Sequence, residues 1–192
     1  QPNGQIDFVS TQLNNIGSLK VEGIDAQIDY SLPVDGLSLT GDSATLQLSA
    51  VASWMFERSL QVIANAAPID CAGRFGNGCI GTGTFGVPDF KLNLSTTYAS
   101  GPVTLRAQGR MIGEFKLYPG FVAAVQKASP QWYFDLSTNI ELGKFDLFGG
   151  IDNLFDNQPP ILGTALSGDA NTDPSLYDVI GRRFFIGARV KF

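Results

Sequence analysis

The sequence predicts an all-β protein of about eight antiparallel strands that cross a membrane as part of a β-barrel. Three observations predict it. Apolar and polar residues alternate with period two over much of the 192-residue chain, as strands with one face of each kind require. Charged residues make up only 16%, beside 22 Gly and 14 Phe, where a charged share of about 25% is usual. The links between alternating segments are short and long in strict turn. No run of ~18 apolar residues exists, so no transmembrane helix is expected; a membrane strand needs only ~9–11 residues with alternate ones apolar.

The segments follow in order. Residues 5–12 give a plausible but blurred strand. Over 24–32, Ile24, Ala26, Ile28, Tyr30 and Leu32 oppose Asp25, Gln27, Asp29 and Ser31. Over 44–57, Ala44, Leu46, Leu48, Ala50, Ala52, Trp54 and Phe56 oppose Thr45, Gln47, Ser49, Ser53 and Glu57, with Val51 and Met55 out of step. Leu60 to Ala67 reads as one or two helical turns in a loop. Residues 90–98 set Phe90, Leu92, Leu94 and Tyr98 against Lys91, Asn93, Ser95 and Thr97. Residues 103–114 set Val103, Leu105, Ala107 and Met111 against Thr104, Arg106, Gln108, Arg110 and Glu114. Residues 132–142 set Trp132, Phe134, Leu136, Ile140 and Leu142 against Asp135, Ser137, Asn139 and Glu141. Residues 145–153 begin with alternation and become Gly-rich. The last stretch sets Phe184, Ile186, Ala188, Val190 and Phe192 against Arg183, Arg189 and Lys191.

Alternation alone serves a soluble β-sandwich equally well. The polar faces here, however, mix Ser, Thr, Asn, Gln, Asp, Glu and Arg instead of being rich in Lys and Glu. Aromatic residues stand near strand ends, as in the girdles of a membrane barrel: Tyr30, Trp54, Phe56, Phe90, Tyr98, Trp132 and Phe192. The links weigh further. Pro33–Gly36, Ser100–Pro102 and Gly143–Lys144 are short, whereas 59–88, 115–130 and 154–181 are long. A sandwich has no reason to sort its loops; a membrane barrel has short turns on one side and long loops on the other.

Composition excludes several functions. The chain has no His, so Ser–His and Cys–His catalytic sets and His-rich zinc sites cannot form. Its 13 basic residues against 18 acidic, and a pI near 4.6, argue against nucleic-acid binding, which needs a basic face. No base is positioned beside a nucleophile and nothing marks a carboxylate pair, so no enzyme and no cofactor are expected.

The C-terminal third carries a resemblance. Gly149-Gly150-Ile151-Asp152-Asn153-Leu154-Phe155-Asp156 resembles the G-x-x-N-L-F-D signature near the end of TonB-dependent outer-membrane receptors. Tyr177 to Phe192 is similar to their closing strand, terminal aromatic included. Asn15-Ile16-Gly17 with Val21-Glu22-Gly23-Ile24-Asp25 resembles their N-x-G … x-G-x-E strand, with Asp25 in place of Glu. The resemblance implies a bacterial outer-membrane location, a barrel of twenty-two strands, an N-terminal plug, and uptake of a scarce nutrient such as a siderophore, cobalamin or oligosaccharide. Residues 1–192 match only the last eight strands or so of such a barrel and contain no plug. The implied partners are outer-membrane lipid, the barrel-assembly machinery, a small ligand, and the TonB complex only through the N-terminal part. The alternative is a complete small eight-stranded barrel with a structural or adhesive role.

Within that frame, several residues stand out. Cys71 and Cys79, with seven residues between them in a Gly-rich loop, suggest a local disulfide in an exported protein; free thiols or a two-Cys metal site are the alternatives. Gly150, Asn153, Leu154, Phe155 and Asp156 are the family signature. Phe192 is the assembly signal by resemblance, and a girdle residue by its position. Arg106, Arg110, Asp135, Glu141, Arg183, Arg189 and Lys191 should face the lumen. They either contact plug or permeant or, the favoured reading, pair with one another, because unpaired charge in a confined space is costly. Asp169 to Asp173 faintly resembles a calcium loop but lacks its Gly and final Glu. Phe115, Tyr118, Phe121, Trp132 and Tyr133 could form a sugar-stacking platform, with rim anchoring the favoured reading.

Overall fold

The structure, a computed structural model, describes residues 17–41, 43–63, 65–76, 79, 86–163 and 171–191. The period-two segments become long antiparallel strands: β1 Ser18–Pro33, β2 Ala44–Gln61, β6 Phe90–Ser100, β7 Val103–Ile112, β10 Gln131–Leu142, β11 Phe145–Asp152 and β12 Arg183–Val190. Each pairs with the next in that order, and the two-residue β3 Ile69–Asp70 adds to β2, giving an eight-stranded sheet. The predicted strand at 5–12 lies outside the described residues. Among those described, helix is limited to the 3₁₀ turn Asp35–Leu37 and a 3₁₀ position at Cys79. In place of the helical turns expected over Leu60 to Ala67, β2 continues to Gln61, and the described residues that follow show one turn, in which Ala66 N donates to Ile63 O at 3.0 Å.

Register puts like residues on like faces. Ile28 pairs with Ala50 and Ala50 with Leu94, while Asp29 pairs with Ser49 and Ser49 with Ser95. One face is therefore apolar across all seven long strands and the other polar. One irregularity reverses the faces of β2 near its end. A β-bulge sets Glu22 opposite Glu57 but Gly23 opposite Met55, leaving Phe56 as the extra residue. The flip places Glu57 beside Lys20 and Glu22, with Lys20 Nζ 2.6 Å from Glu57 and 2.8 Å from Glu22. Glu57 thus lies on the side predicted for apolar residues, whereas Met55, before the bulge, shares the polar side with Ser53.

The sheet does not close. Within it β1 and β12 are the two edges among the described residues, so the strands form an open antiparallel sheet and not the closed barrel expected. The short links lie together at one end; the first is longer than predicted, because the 3₁₀ turn and residues up to 43 intervene before β2. At the other end the long links build a cap. Four short strands, β4 Arg74–Phe75, β5 Gly86–Val87, β8 Phe115–Leu117 and β9 Lys127–Ala128, form a second sheet in the order β5-β4-β8-β9. The buried core is here. Phe75, Phe115, Leu117, Leu162 and Tyr177 pack with Ile112 and Tyr133 of the large sheet. Cys71 and Cys79 are joined by a disulfide and pack with Val87, Met55 and Tyr118.

Candidate functional site

Gly150 and the stretch Asn153 to Asp156, where the signature resemblance lies, build a locked turn at the capped end. β11 ends at Asp152, and Asn153 follows fully buried with φ +52°. Asn tolerates this left-handed conformation better than most residues. Its side chain holds the turn twice: Oδ1 accepts from Asn157 N at 2.9 Å, and Nδ2 donates to Asn157 O at 3.0 Å. Asn157 Nδ2 in turn donates to Trp132 O, and Leu154 N donates to Phe134 O, both at 2.6 Å and both in β10. Asp156 Oδ1 accepts from Arg182 N at 2.9 Å, just before β12. Phe155 stands edge-on to Phe134, ring centroids 5.4 Å apart. Gly150 is required because Phe185 lies over it: a Cβ there would sit 2.6 Å from the Phe185 ring and 2.6 Å from Leu136 O. The signature therefore staples the exit of β11 to the strands on either side.

The predicted inward charges all lie on the polar face, and most are paired. Arg110 Nε lies 3.4 Å from Asp135 Oδ2, and its guanidinium is 5.4 Å from the centre of the Tyr133 ring. Asp135 Oδ1 also accepts from Asn153 N at 2.9 Å, so this carboxylate joins the ion pair to the signature turn. Arg183 lies 3.3 Å from Asp152. Lys191 lies 3.1 Å from Asp146 and 3.9 Å from Glu141. Arg106 and Arg189 have no ion-pair partner among the described residues. Phe148 and Phe185 were unexpected on this face; each ring covers a glycine of the neighbouring strand, Gly187 and Gly150 respectively.

The aromatic platform is not assembled. Phe115 and Tyr133 are buried in the cap core, while Tyr118 meets Phe121 edge-on. Trp132 points to the apolar face and stacks with Phe134, centroids 5.7 Å apart. It belongs to an aromatic level beside the cap that includes Trp54, tilted against Phe90 with centroids 5.0 Å apart. A second level, Tyr30, Tyr98 and Phe145, lies toward the short turns. Between the levels the apolar face is open, with Ile28 71% and Ile186 93% exposed. Phe192 and Asp169 lie outside the described residues. No cluster of metal-ligating side chains occurs among those described.

Where the cap overhangs the polar face of β1, β2 and β6, it roofs a cavity of about 520 Å³. The sheet contributes Val21, Asp25, Ser53, Met55, Arg58 and Lys91; the cap contributes Val87, Pro88, Ser175 and Leu176. Sequence reasoning missed this site. Its one visible signal is Met55, out of step with its strand because it faces the cap. Two titrating groups report on the cap itself. Burial, then the nearby Tyr133 and Asp173, push the Tyr177 hydroxyl well above the usual tyrosine range. A hydrogen bond from Lys127 holds the Glu114 carboxyl below its usual range. No protein-family model, curated protein or solved structure matches the chain.

Proposed function

We propose that the chain is a stretch of bacterial outer-membrane barrel wall with its outward-facing loops: the C-terminal part of a TonB-dependent receptor that takes up a scarce nutrient. One observation carries this reading. The sheet leaves a whole face of apolar side chains open to the surroundings, bordered by two aromatic levels, with every long link gathered beyond one of them. A soluble monomer rarely exposes apolar surface beyond a few hundred Å². Lipid is the solvent that makes such a face favourable. Along β10, Trp132 and Leu142 are ten residue steps apart, ~33 Å of strand, or roughly 25 Å across a membrane at a tilt near 40°. That matches the apolar band of an outer-membrane barrel.

The edges at β1 and β12, bare among the described residues, favour a larger barrel over the complete small one. An unpaired backbone edge in lipid costs several kcal/mol per group, so β1 and β12 call for further strands beside them. In this reading the polar face lines the lumen, its ion pairs let charge sit in a confined space, and the cap is the ligand-facing surface. Phe192 serves the assembly machinery, and coupling to the TonB complex runs through an N-terminal plug.

The test compares Leu136→Arg with Ser137→Arg, adjacent residues on opposite faces. On the lipid side near mid-membrane an Arg costs ~2–4 kcal/mol, so L136R should lower the outer-membrane level of the full-length protein while S137R leaves it near wild type. Equal levels for both, or a chain that stays soluble and monomeric without detergent, overturn the reading.

A further inference from the structure

We propose that the cavity beneath the cap binds a short zwitterionic peptide, amine at Asp25 and carboxylate at Lys91. The proposal rests on the receptor reading above and names the substrate class of its ligand-facing surface. Asp25, Ser53 and Lys91 lie in one cross-strand row: Asp25 pairs with Ser53, and Ser53 with Lys91. Their side chains share the polar face. Both charged groups are exposed, and neither has an ion-pair partner among the described residues, whereas Arg58, higher in the cavity, already interacts within the protein.

Two inter-strand spacings separate the carboxylate's strand from the ammonium's, ~10 Å in all. At that distance the two groups do not neutralise each other by contact. An extended chain spans at most ~3.3–3.6 Å per residue, so three residues reach about the same ~10 Å. Ser53 lies between the two charges on the sheet, and Met55 with Val87 and Leu176 of the cap adds apolar surface beside them, which suits a hydrophobic central side chain. The Ser53 and Ser175 hydroxyls are available to a peptide backbone. The volume, about 520 Å³, falls in the range of small-ligand sites. Charge complementarity at both ends, with apolar surface beside it, fits a tripeptide-sized zwitterion.

The experiment is calorimetric titration of the full-length protein in detergent micelles with Ala-Leu-Ala, its N-acetyl form and its C-terminal amide. Each terminal contact is a charge-assisted hydrogen bond, so blocking either end should weaken binding on the order of ten-fold. In Asp25→Asn, N-acetylation should cease to matter while amidation still does; in Lys91→Met the reverse should hold. Outer-membrane fractionation is run alongside. A protein that inserts normally yet binds the free tripeptide no better than its blocked forms overturns the peptide site. A chain that fails to insert but keeps both blocking effects overturns the membrane reading and supports the site.

Discussion

Replacing Asn153 isolates the forces that lock the signature turn. The residue is fully buried, has φ +52°, and makes two side-chain hydrogen bonds to the backbone of Asn157. Asn153→Gly removes both bonds but accepts the left-handed backbone. At about 1 kcal/mol per net hydrogen bond, it should cost ~2 kcal/mol. Asn153→Ala loses the same bonds and adds the left-handed penalty of a Cβ, about 1 kcal/mol more, for a total of ~3 kcal/mol. The unfolding midpoints should fall in that order, each by its energy loss divided by the slope measured for the wild type. The assay is urea unfolding of the full-length protein in lipid vesicles, followed by tryptophan fluorescence. Trp132 is a local reporter, because its carbonyl accepts from Asn157. A Gly variant that unfolds at the wild-type midpoint would refute the reasoning, as would an Ala variant no worse than Gly.

Two further perturbations address the cap. Replacing Cys71 and Cys79 together by Ser removes a buried cross-link; closing so short a loop is worth ~2–3 kcal/mol in the chain-entropy account. Trypsin should then cut after Arg74 while the long strands stay intact, and unchanged resistance at Arg74 would sink this assignment. The second concerns alkaline pH. The Tyr177 pKa is raised in the folded cap, with burial the largest cause. Folding therefore keeps a proton that the unfolded chain releases near pH ~10. The stability this group contributes is full below that pH and falls as pH rises toward the folded value. Tyr177→Phe should make the cap less sensitive to pH above ~10, read by proteolysis across that range. An identical alkaline profile in the variant would contradict it.

The strands were legible because a face repeats every second residue whatever the surroundings. Ile24 to Leu32 and Trp132 to Leu142 state their faces outright, and the inward charges follow from the same alternation. Glu57 was misplaced because a one-residue bulge reverses every later face, and a bulge is set by cross-strand pairing that no single strand records. The sugar platform failed for a related reason. Phe115 and Trp132 are near in sequence, yet one lies in an irregular link that folds inward and the other on a strand whose parity points it outward. The cavity was invisible because Asp25, Lys91 and Leu176 come from three distant segments.

Chain pattern by itself thus determined the strands, the two unlike faces and the sorting of links, since each follows from local periodicity and turn chemistry. Only the tertiary structure decided what the long links do. They contain the buried core of the molecule, because their aromatic side chains find partners in one another and in Ile112 and Tyr133. It also decided that the signature residues are a mechanical staple, and that two oppositely charged side chains stand one strand apart from Ser53 under a roof. Such pairings depend on which strand lies beside which, and that is a property of the assembled sheet.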